Sequence, residues 1–314
     1  MKMFGEYWGV IWNCVVRYWC RNRAAARTTI CGPVAARSGG KRSVIPPFRA
    51  IHLTFRMANI SRTAKSGNDW SQAELRAYNI SVEFQDATTF FGVTPLPRPD
   101  VANELLNNVD ANRMANEANY KLLRYAYLAT CPVPSQESAV ADFAVHLLTL
   151  LDYVPRARMA RTHMDIPLTV CGQDCYANPD VCVVDANDIL LLIQENKLHK
   201  EPKDPEPQLI AGAIAAFQTN NNRRTCVMGQ DPIICKVIPG ITLVGTSPIF
   251  YKIPITAELA ESVALGTFPA ERTVVLAHLP DLARPALRLS EGISPLDNRV
   301  RILACFEAFK NFLN

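Results

Sequence analysis

Residues 178–197 read NPDVCVVDANDILLLIQENK, and the fold depends on how this stretch is arranged. Two apolar runs, Val181–Val184 and Ile189–Ile193, are separated by polar residues typical of a turn. The first run is rich in β-branched valine, and the second is unbroken, as in a strand buried on both faces. The sequence therefore predicts two consecutive strands joined by a turn at residues 186–188.

A helix is the alternative for the second run. Asp188 is a plausible N-cap, and Leu, Gln, Glu and Lys are good helix formers. On a helix, residues two apart do not share a face, so Glu195 and Lys197 would diverge. On a strand they project to the same side, roughly 6 to 7 Å apart, with Asp180 near them at the same end of the hairpin.

The strand interpretation brings two carboxylates and one ammonium together. Carboxylate oxygens are the ligands that Mg²⁺ prefers, and Mn²⁺ accepts the same donors. A bound metal polarises a phosphate and lowers the pKa of a bound water, and a lysine can orient that water or stabilise the developing charge. Asp180, Glu195 and Lys197 are therefore the predicted catalytic residues, with Asp180 and Glu195 as metal ligands.

Pro179-Asp180 followed by Glu195-Asn196-Lys197 resembles the signature of the PD-(D/E)XK nuclease superfamily. The chain is further similar to a group of fungal, mainly mushroom-type, proteins of this kind. That likeness lies in VCGQDCYANPDVCVVD, ILLLIQENK and GTSPIFYKIPIT, and it covers roughly residues 70 to 314.

The resemblance implies an α/β (α+β) fold with a restriction-endonuclease-like core. A mixed central β-sheet would be flanked by helices, with additional helices towards the N-terminus. A helix before the hairpin would offer Glu137 as a third metal ligand, and a helix after the lysine strand would offer Gln208 to the substrate. Either residue could instead do no more than begin a helix, where an acidic residue favours the helix dipole.

Three further residues are candidates for substrate binding. His199 follows Lys197 closely enough to touch a phosphate. Arg223 and Arg224 follow a run of asparagines, where a solvated loop is the competing interpretation. We find no phosphate-binding loop, no dinucleotide fingerprint and no Gly-x-Ser-x-Gly context for a hydrolase nucleophile.

The first 68 residues differ in composition from the rest. Between Glu6 and Asp69 there is no acidic residue and there are eleven Lys or Arg residues. A mitochondrial-type presequence fits this pattern better than a secretory signal or a membrane span; a disordered leader or a mispredicted start is the alternative. We therefore place a single nuclease-like domain at residues 69–314, with a helical N-terminal part at 69–154.

Composition limits the function classes. The chain has 314 residues, ten cysteines at irregular spacing and a formal net charge of +4. This argues against a small disulfide scaffold and favours an intracellular protein, nuclear or cytoplasmic, or mitochondrial if the leader is genuine. The expected partner is DNA or RNA rather than a membrane, with no prediction of oligomeric state. Two functions remain open: a metal-dependent nuclease, or an inactive nuclease-fold module that binds nucleic acid or protein.

Overall fold

The computed structural model describes residues 62–130, 138–195 and 204–313, and these contain nine strands and nine α-helices. The strands are β1 Ile80–Phe84, β2 Met159–Thr162, β3 Ile166–Val170, β4 Gln173–Ala177, β5 Val181–Val184, β6 Ile189–Glu195, β7 Cys235–Val244, β8 Ser247–Thr256 and β9 Thr273–His278. The helices are α1 Gln72–Ala77, α2 Ala87–Phe91, α3 Asn103–Asn107, α4 Glu117–Thr130, α5 Ala139–Leu150, α6 Pro205–Asn222, α7 Ala257–Leu265, α8 Arg288–Glu291 and α9 Leu296–Phe309.

Seven strands form one mixed sheet in the order β1-β9-β8-β7-β6-β5-β2. The pairs β1–β9 and β6–β7 are parallel, and the other neighbours are antiparallel. Strands β3 and β4 form a separate two-stranded hairpin. Helix α6 makes the crossover from β6 to the parallel strand β7, as such a connection requires. The fold is thus α/β with a mixed central sheet flanked by helices, as expected.

Strands β5 and β6, which contain the two apolar runs of residues 178–197, form a β-hairpin. Val181 of β5 pairs with Ile193 of β6 in antiparallel register. Its turn is held by Asp185, whose Oδ1 accepts the backbone N–H groups of Asn187 at 2.7 Å and Asp188 at 2.6 Å. The prediction of two strands is confirmed, and the helical alternative for the second run is wrong.

The sheet separates two hydrophobic layers, which explains why both runs of the hairpin are apolar throughout. Val183 and Leu191 belong to the layer that contains residues of α4, α5 and α9. Cys182 and Leu192 belong to the opposite layer, with residues of α6, α7 and the β3–β4 hairpin. Successive side chains on a strand alternate between faces, so each run supplies both layers at once.

The segment predicted to be helical, residues 69–154, also contains a strand. Helix α1 begins with a capping box formed by Ser71 and Glu74. Strand β1 was not predicted; it is an edge strand that pairs in parallel with β9, nearly 200 residues later in the chain. Helix α3 begins at Asn103, and helix α5 ends at Leu150.

The packed chain begins before the predicted boundary at residue 69. Residues Arg62–Asn314 fall in one unit. The Arg62 guanidinium donates to the carbonyl oxygens of Gly266 and Ala77 at 2.7 and 2.8 Å. A Cβ on Gly67 would lie 2.7 Å from the Ala177 Cβ, so glycine permits the close approach of this segment to β4. Residues 62–68 therefore belong to the fold, a feature that their basic composition concealed.

Gly240 and Gly245 lie five residues apart but have different structural roles. Gly245 has a φ of 57° and connects β7 to β8. Gly240 instead lies inside β7, opposite Tyr251 of β8. A Cβ there would approach Leu209 Cδ2 to 2.9 Å, so the glycine lets α6 pack closely on the sheet. In the described ranges, no helix is both long enough and apolar enough to span a membrane.

Candidate active site

Two of the predicted site residues, Asp180 and Glu195, meet at the open end of the β5–β6 hairpin. Asp180 immediately precedes β5 and Glu195 is the last residue of β6. Both are nearly fully buried, at 3% and 6% exposure. Asp180 Oδ2 accepts the backbone N–H of Glu195 at 2.9 Å. The Asp180 side chain is thus tied to the backbone at the end of β6.

Gln194 also binds Asp180, and sequence reasoning missed it. Its Nε2 donates to Asp180 Oδ2 at 2.6 Å, and Gln194 is itself buried. Strand alternation places Gln194 on the face of Leu192, towards α6, and Glu195 on the face of Ile193. The only available signal was its position next to Glu195 at the end of an apolar run.

His163, which follows β2, approaches Asp180 from the edge of the sheet. Its backbone N–H donates to the Asp180 carbonyl oxygen at 3.1 Å. Its Nδ1 lies 4.0 Å from Asp180 Oδ1, and its side chain is 60% exposed. His163 has a φ of 49°, a left-handed conformation that few residues other than glycine adopt. The imidazole is therefore held at the surface, beside the oxygen of Asp180 that does not face Gln194.

A further, partly buried carboxylate, that of Glu206, lies in the first turn of α6. Glu206 Oε2 accepts the Tyr251 hydroxyl at 3.2 Å, and Glu206 Oε1 accepts the Gln72 amide at 3.1 Å. Burial is the largest cause that raises the pKa of Glu206 above its usual value, and the charge of Asp204 adds to it. Helix α6 begins at the end of the sheet where β6 ends, so this acid lies towards the same end as Glu195.

The segment before Asp180 is fixed by side chains from distant parts of the chain. The backbone N–H of Asn178 donates to Asn68 Oδ1 at 3.1 Å, and the Asn178 side-chain amide donates to Asp165 Oδ1. Asn68 comes from the segment first assigned to the leader. These contacts hold Asn178 in place, two residues before Asp180.

Three predicted site residues lie outside the described residues: Lys197, His199 and Glu137. Gln208 is described; it lies on α6 one turn after the helix start and is half-buried. Its place near the start of α6 puts it towards the end of the sheet that carries Glu195.

Arg223 and Arg224 are not brought together with the two carboxylates. They follow the C-terminus of α6, in a π-helical turn. Asn220 in the last turn of α6 exchanges hydrogen bonds with the backbone of Ile189, at the start of β6. Because β6 rises about 3.3 Å per residue, the two arginines lie near the far end of the strand, about 20 Å from Glu195.

The donor chemistry of Asp180 and Glu195 fits a hard divalent cation. Both are carboxylates, and both lie at the end of a rigid, buried hairpin. Across residues 62–130, 138–195 and 204–313, no group of three or more His, Cys, Asp or Glu side chains is placed to hold a metal ion. Glu137, the third acid expected from the sequence, is outside those ranges.

No family model matches this sequence, and no curated protein matches it.

Proposed function

We propose that this protein is a metal-dependent nuclease that hydrolyses phosphodiester bonds of DNA or RNA, built on a restriction-endonuclease-like core. Asp180 and Glu195 bind Mg²⁺ or Mn²⁺, and Lys197 assists the attacking water. The observation that carries the proposal is the placement of two buried acidic residues at the open end of one hairpin, where Asp180 Oδ2 accepts the backbone N–H of Glu195 at 2.9 Å.

In the proposed reaction, a water oxygen forms a bond to phosphorus while the phosphorus–oxygen bond to the leaving nucleotide breaks. The cation supplies Lewis acidity for the phosphate and for the attacking water. Asp180 and Glu195 provide the oxygen ligands, and the Lys197 ammonium orients the water and offsets charge that develops on the phosphate. The water loses one proton to solvent, and the leaving oxygen gains one.

The order of elements also supports the proposal. The β5–β6 hairpin is followed by α6 and then by β7, which is parallel to β6. The resemblance to PD-(D/E)XK nucleases implies a helix directly after the strand that carries the Glu-x-Lys residues, and α6 occupies that position. The segment from β5 to β7 therefore agrees with the order expected from the signature.

The test is cleavage of end-labelled DNA and RNA by the full chain, with Mg²⁺, with Mn²⁺ and with EDTA. We expect divalent-dependent cleavage that falls by at least about a hundredfold in Asp180→Asn, Glu195→Gln and Lys197→Ala. Cleavage that persists in EDTA, or that survives Lys197→Ala, would contradict the assignment.

Matched controls separate loss of chemistry from loss of fold. Glu271→Gln and Lys121→Ala change the same residue types at exposed positions, Lys121 on α4 in an ion pair with Glu117. Both should cleave like the wild type. Thermal melts of all five variants show whether burial of Asp180 and Glu195 makes their substitution a folding defect.

The second candidate is a nuclease-fold module that binds nucleic acid or protein without cutting. One observation favours it: Asp180 Oδ2 already accepts two hydrogen bonds, from Gln194 and Glu195, which compete with a cation for that oxygen. Calorimetric titration with Mn²⁺ discriminates between the two functions. The module predicts no binding, or binding that Asp180→Asn and Glu195→Gln leave unchanged.

A further inference from the structure

A basic strip lies along the edge strand next to Asp180. Between Asp152 and Asp165 the only charged residues are arginines, at positions 156, 158 and 161, and His163 follows them. Among the residues that the structure describes, strand β2 is at one edge of the sheet and pairs only with β5. We define the strip as Arg156, Arg161 and His163, because all three are exposed.

The strip approaches the candidate active site through Arg161 and His163. Arg161 is opposite Cys182 in the β2–β5 register, and Thr162 is opposite Val181, the residue after Asp180. Cys182 faces the layer that contains α6, so Arg161 projects to that same face. His163 is the end of the strip nearest the site, and its Nδ1 lies 4.0 Å from Asp180 Oδ1.

Charged residues on an edge strand can also serve to block pairing with another chain. That role needs only charge. It does not explain the backbone conformation of His163, which has a φ of 49° while its N–H donates to the Asp180 carbonyl oxygen. A left-handed φ costs free energy for a residue with a side chain. The strained position instead fixes an exposed imidazole beside a buried carboxylate.

We infer that Arg161 and His163 bind the phosphodiester backbone of the substrate and direct it across Asp180. Arginine binds phosphate oxygens through a planar array of N–H donors. An imidazole retains an N–H donor in its neutral form, so His163 can contact a phosphate oxygen without a net charge. The choice of a nucleic acid as the ligand rests on the proposed nuclease function, and the modest net charge of the chain makes a local basic strip necessary for that ligand.

Binding is measured by fluorescence anisotropy of short fluorescein-labelled DNA and RNA strands on the full chain, in EDTA, over a series of salt concentrations. The variants are Arg161→Ala and His163→Asn; asparagine tolerates the left-handed backbone, so the second should fold. The control is Arg272→Ala, an exposed arginine just before β9, towards the opposite edge of the sheet.

We expect Arg161→Ala to raise Kd by on the order of fivefold and to reduce the salt-dependence slope by about 1. His163→Asn should raise Kd by a smaller factor, and Arg272→Ala should leave it unchanged. The inference is overturned if the wild type binds neither DNA nor RNA, or if both variants bind as tightly as the wild type. Because EDTA excludes metal-dependent cleavage, this result is independent of the nuclease test: either can fail while the other holds.

Discussion

The side-chain amide of Gln194 donates a 2.6 Å hydrogen bond to Asp180 Oδ2, and both residues are at most 5% exposed. A buried carboxylate is costly unless hydrogen-bond donors surround it. Gln194 and the Glu195 backbone N–H supply two such donors to one oxygen. The pair therefore sets the orientation of the carboxylate on which the proposed function depends.

Gln194→Leu should destabilise the protein by about 1 to 3 kcal/mol, because it removes a donor from a buried charged acceptor. Chemical denaturation measures the change in the free energy of unfolding. Gln230→Leu alters an exposed glutamine and is the control, with an expected change near zero. A Gln194→Leu variant as stable as the wild type would show that the bond contributes nothing net.

Arg299→Ala should destabilise the fold by about 3 kcal/mol or more, because it leaves buried acceptors without donors. Arg299 on α9 is 1% exposed. Its guanidinium donates to four backbone carbonyl oxygens, those of Leu105, Asn108, Ile293 and Ser294.

Arg301→Ala is the matched control for Arg299, on the same helix but exposed. Arg301 contacts Asp281 at the surface, and we expect a change within about 0.5 kcal/mol. Equal effects of the two substitutions on the urea midpoint would refute the role assigned to Arg299.

Gly240→Ala should cost about 1 to 3 kcal/mol through overpacking. The added methyl would lie 2.9 Å from Leu209 and 3.1 Å from Ile253, so side chains of α6 and β8 must shift. Gly212→Ala on α6 is the contrast: its methyl meets Leu192 at 3.3 Å, and alanine gains about 1 kcal/mol of helix propensity. Gly240→Ala should have a clearly lower melting temperature than Gly212→Ala. The reverse order would be inconsistent with the close approach of α6 to β7 at Gly240.

Glu206→Gln should raise the free energy of unfolding relative to the wild type, and this gain should be larger at neutral pH than at acid pH. The folded-state pKa of Glu206 is raised, chiefly by burial, so its ionisation opposes folding. That penalty is absent below the ordinary glutamate pKa, grows as pH rises to the folded-state value, and is constant above it. The glutamine variant lacks the penalty.

Unfolding free energies of wild type and Glu206→Gln, compared at pH 4 and pH 7.5, check this sign. The difference should shift in favour of the variant at the higher pH. A shift in the opposite direction would mean that the hydrogen bonds from Tyr251 and Gln72 stabilise the charged carboxylate more than burial disfavours it.

Local sequence patterns were sufficient to predict the β5–β6 hairpin and indicate the capped start of α1. In each, the deciding groups lie within a few residues of one another: Asp185 with the backbone of Asn187 and Asp188, and Ser71 with Glu74. The adjacency of Asp180 and Glu195 followed from the hairpin, since a short turn leaves few possible registers.

Features that depend on pairing or packing with other segments could not be predicted from local sequence patterns. Gln194 looked like an ordinary residue of a strand end, and His163 like an ordinary surface residue. The β5–β6 pairing places Gln194 beside Asp180, and the β2–β5 pairing brings His163 there. The packing of residues 62–68 was hidden by a basic composition shared with the residues before them.

Hydrophobic pattern and turn chemistry thus defined which segments become strands and where two acids meet, because these depend on neighbours in the chain. The parallel partner of β1, the glycine inside β7 and the residues that surround Asp180 were decided by tertiary packing. Their energies come from contacts between residues far apart in sequence, and such contacts exist only once the sheet has formed.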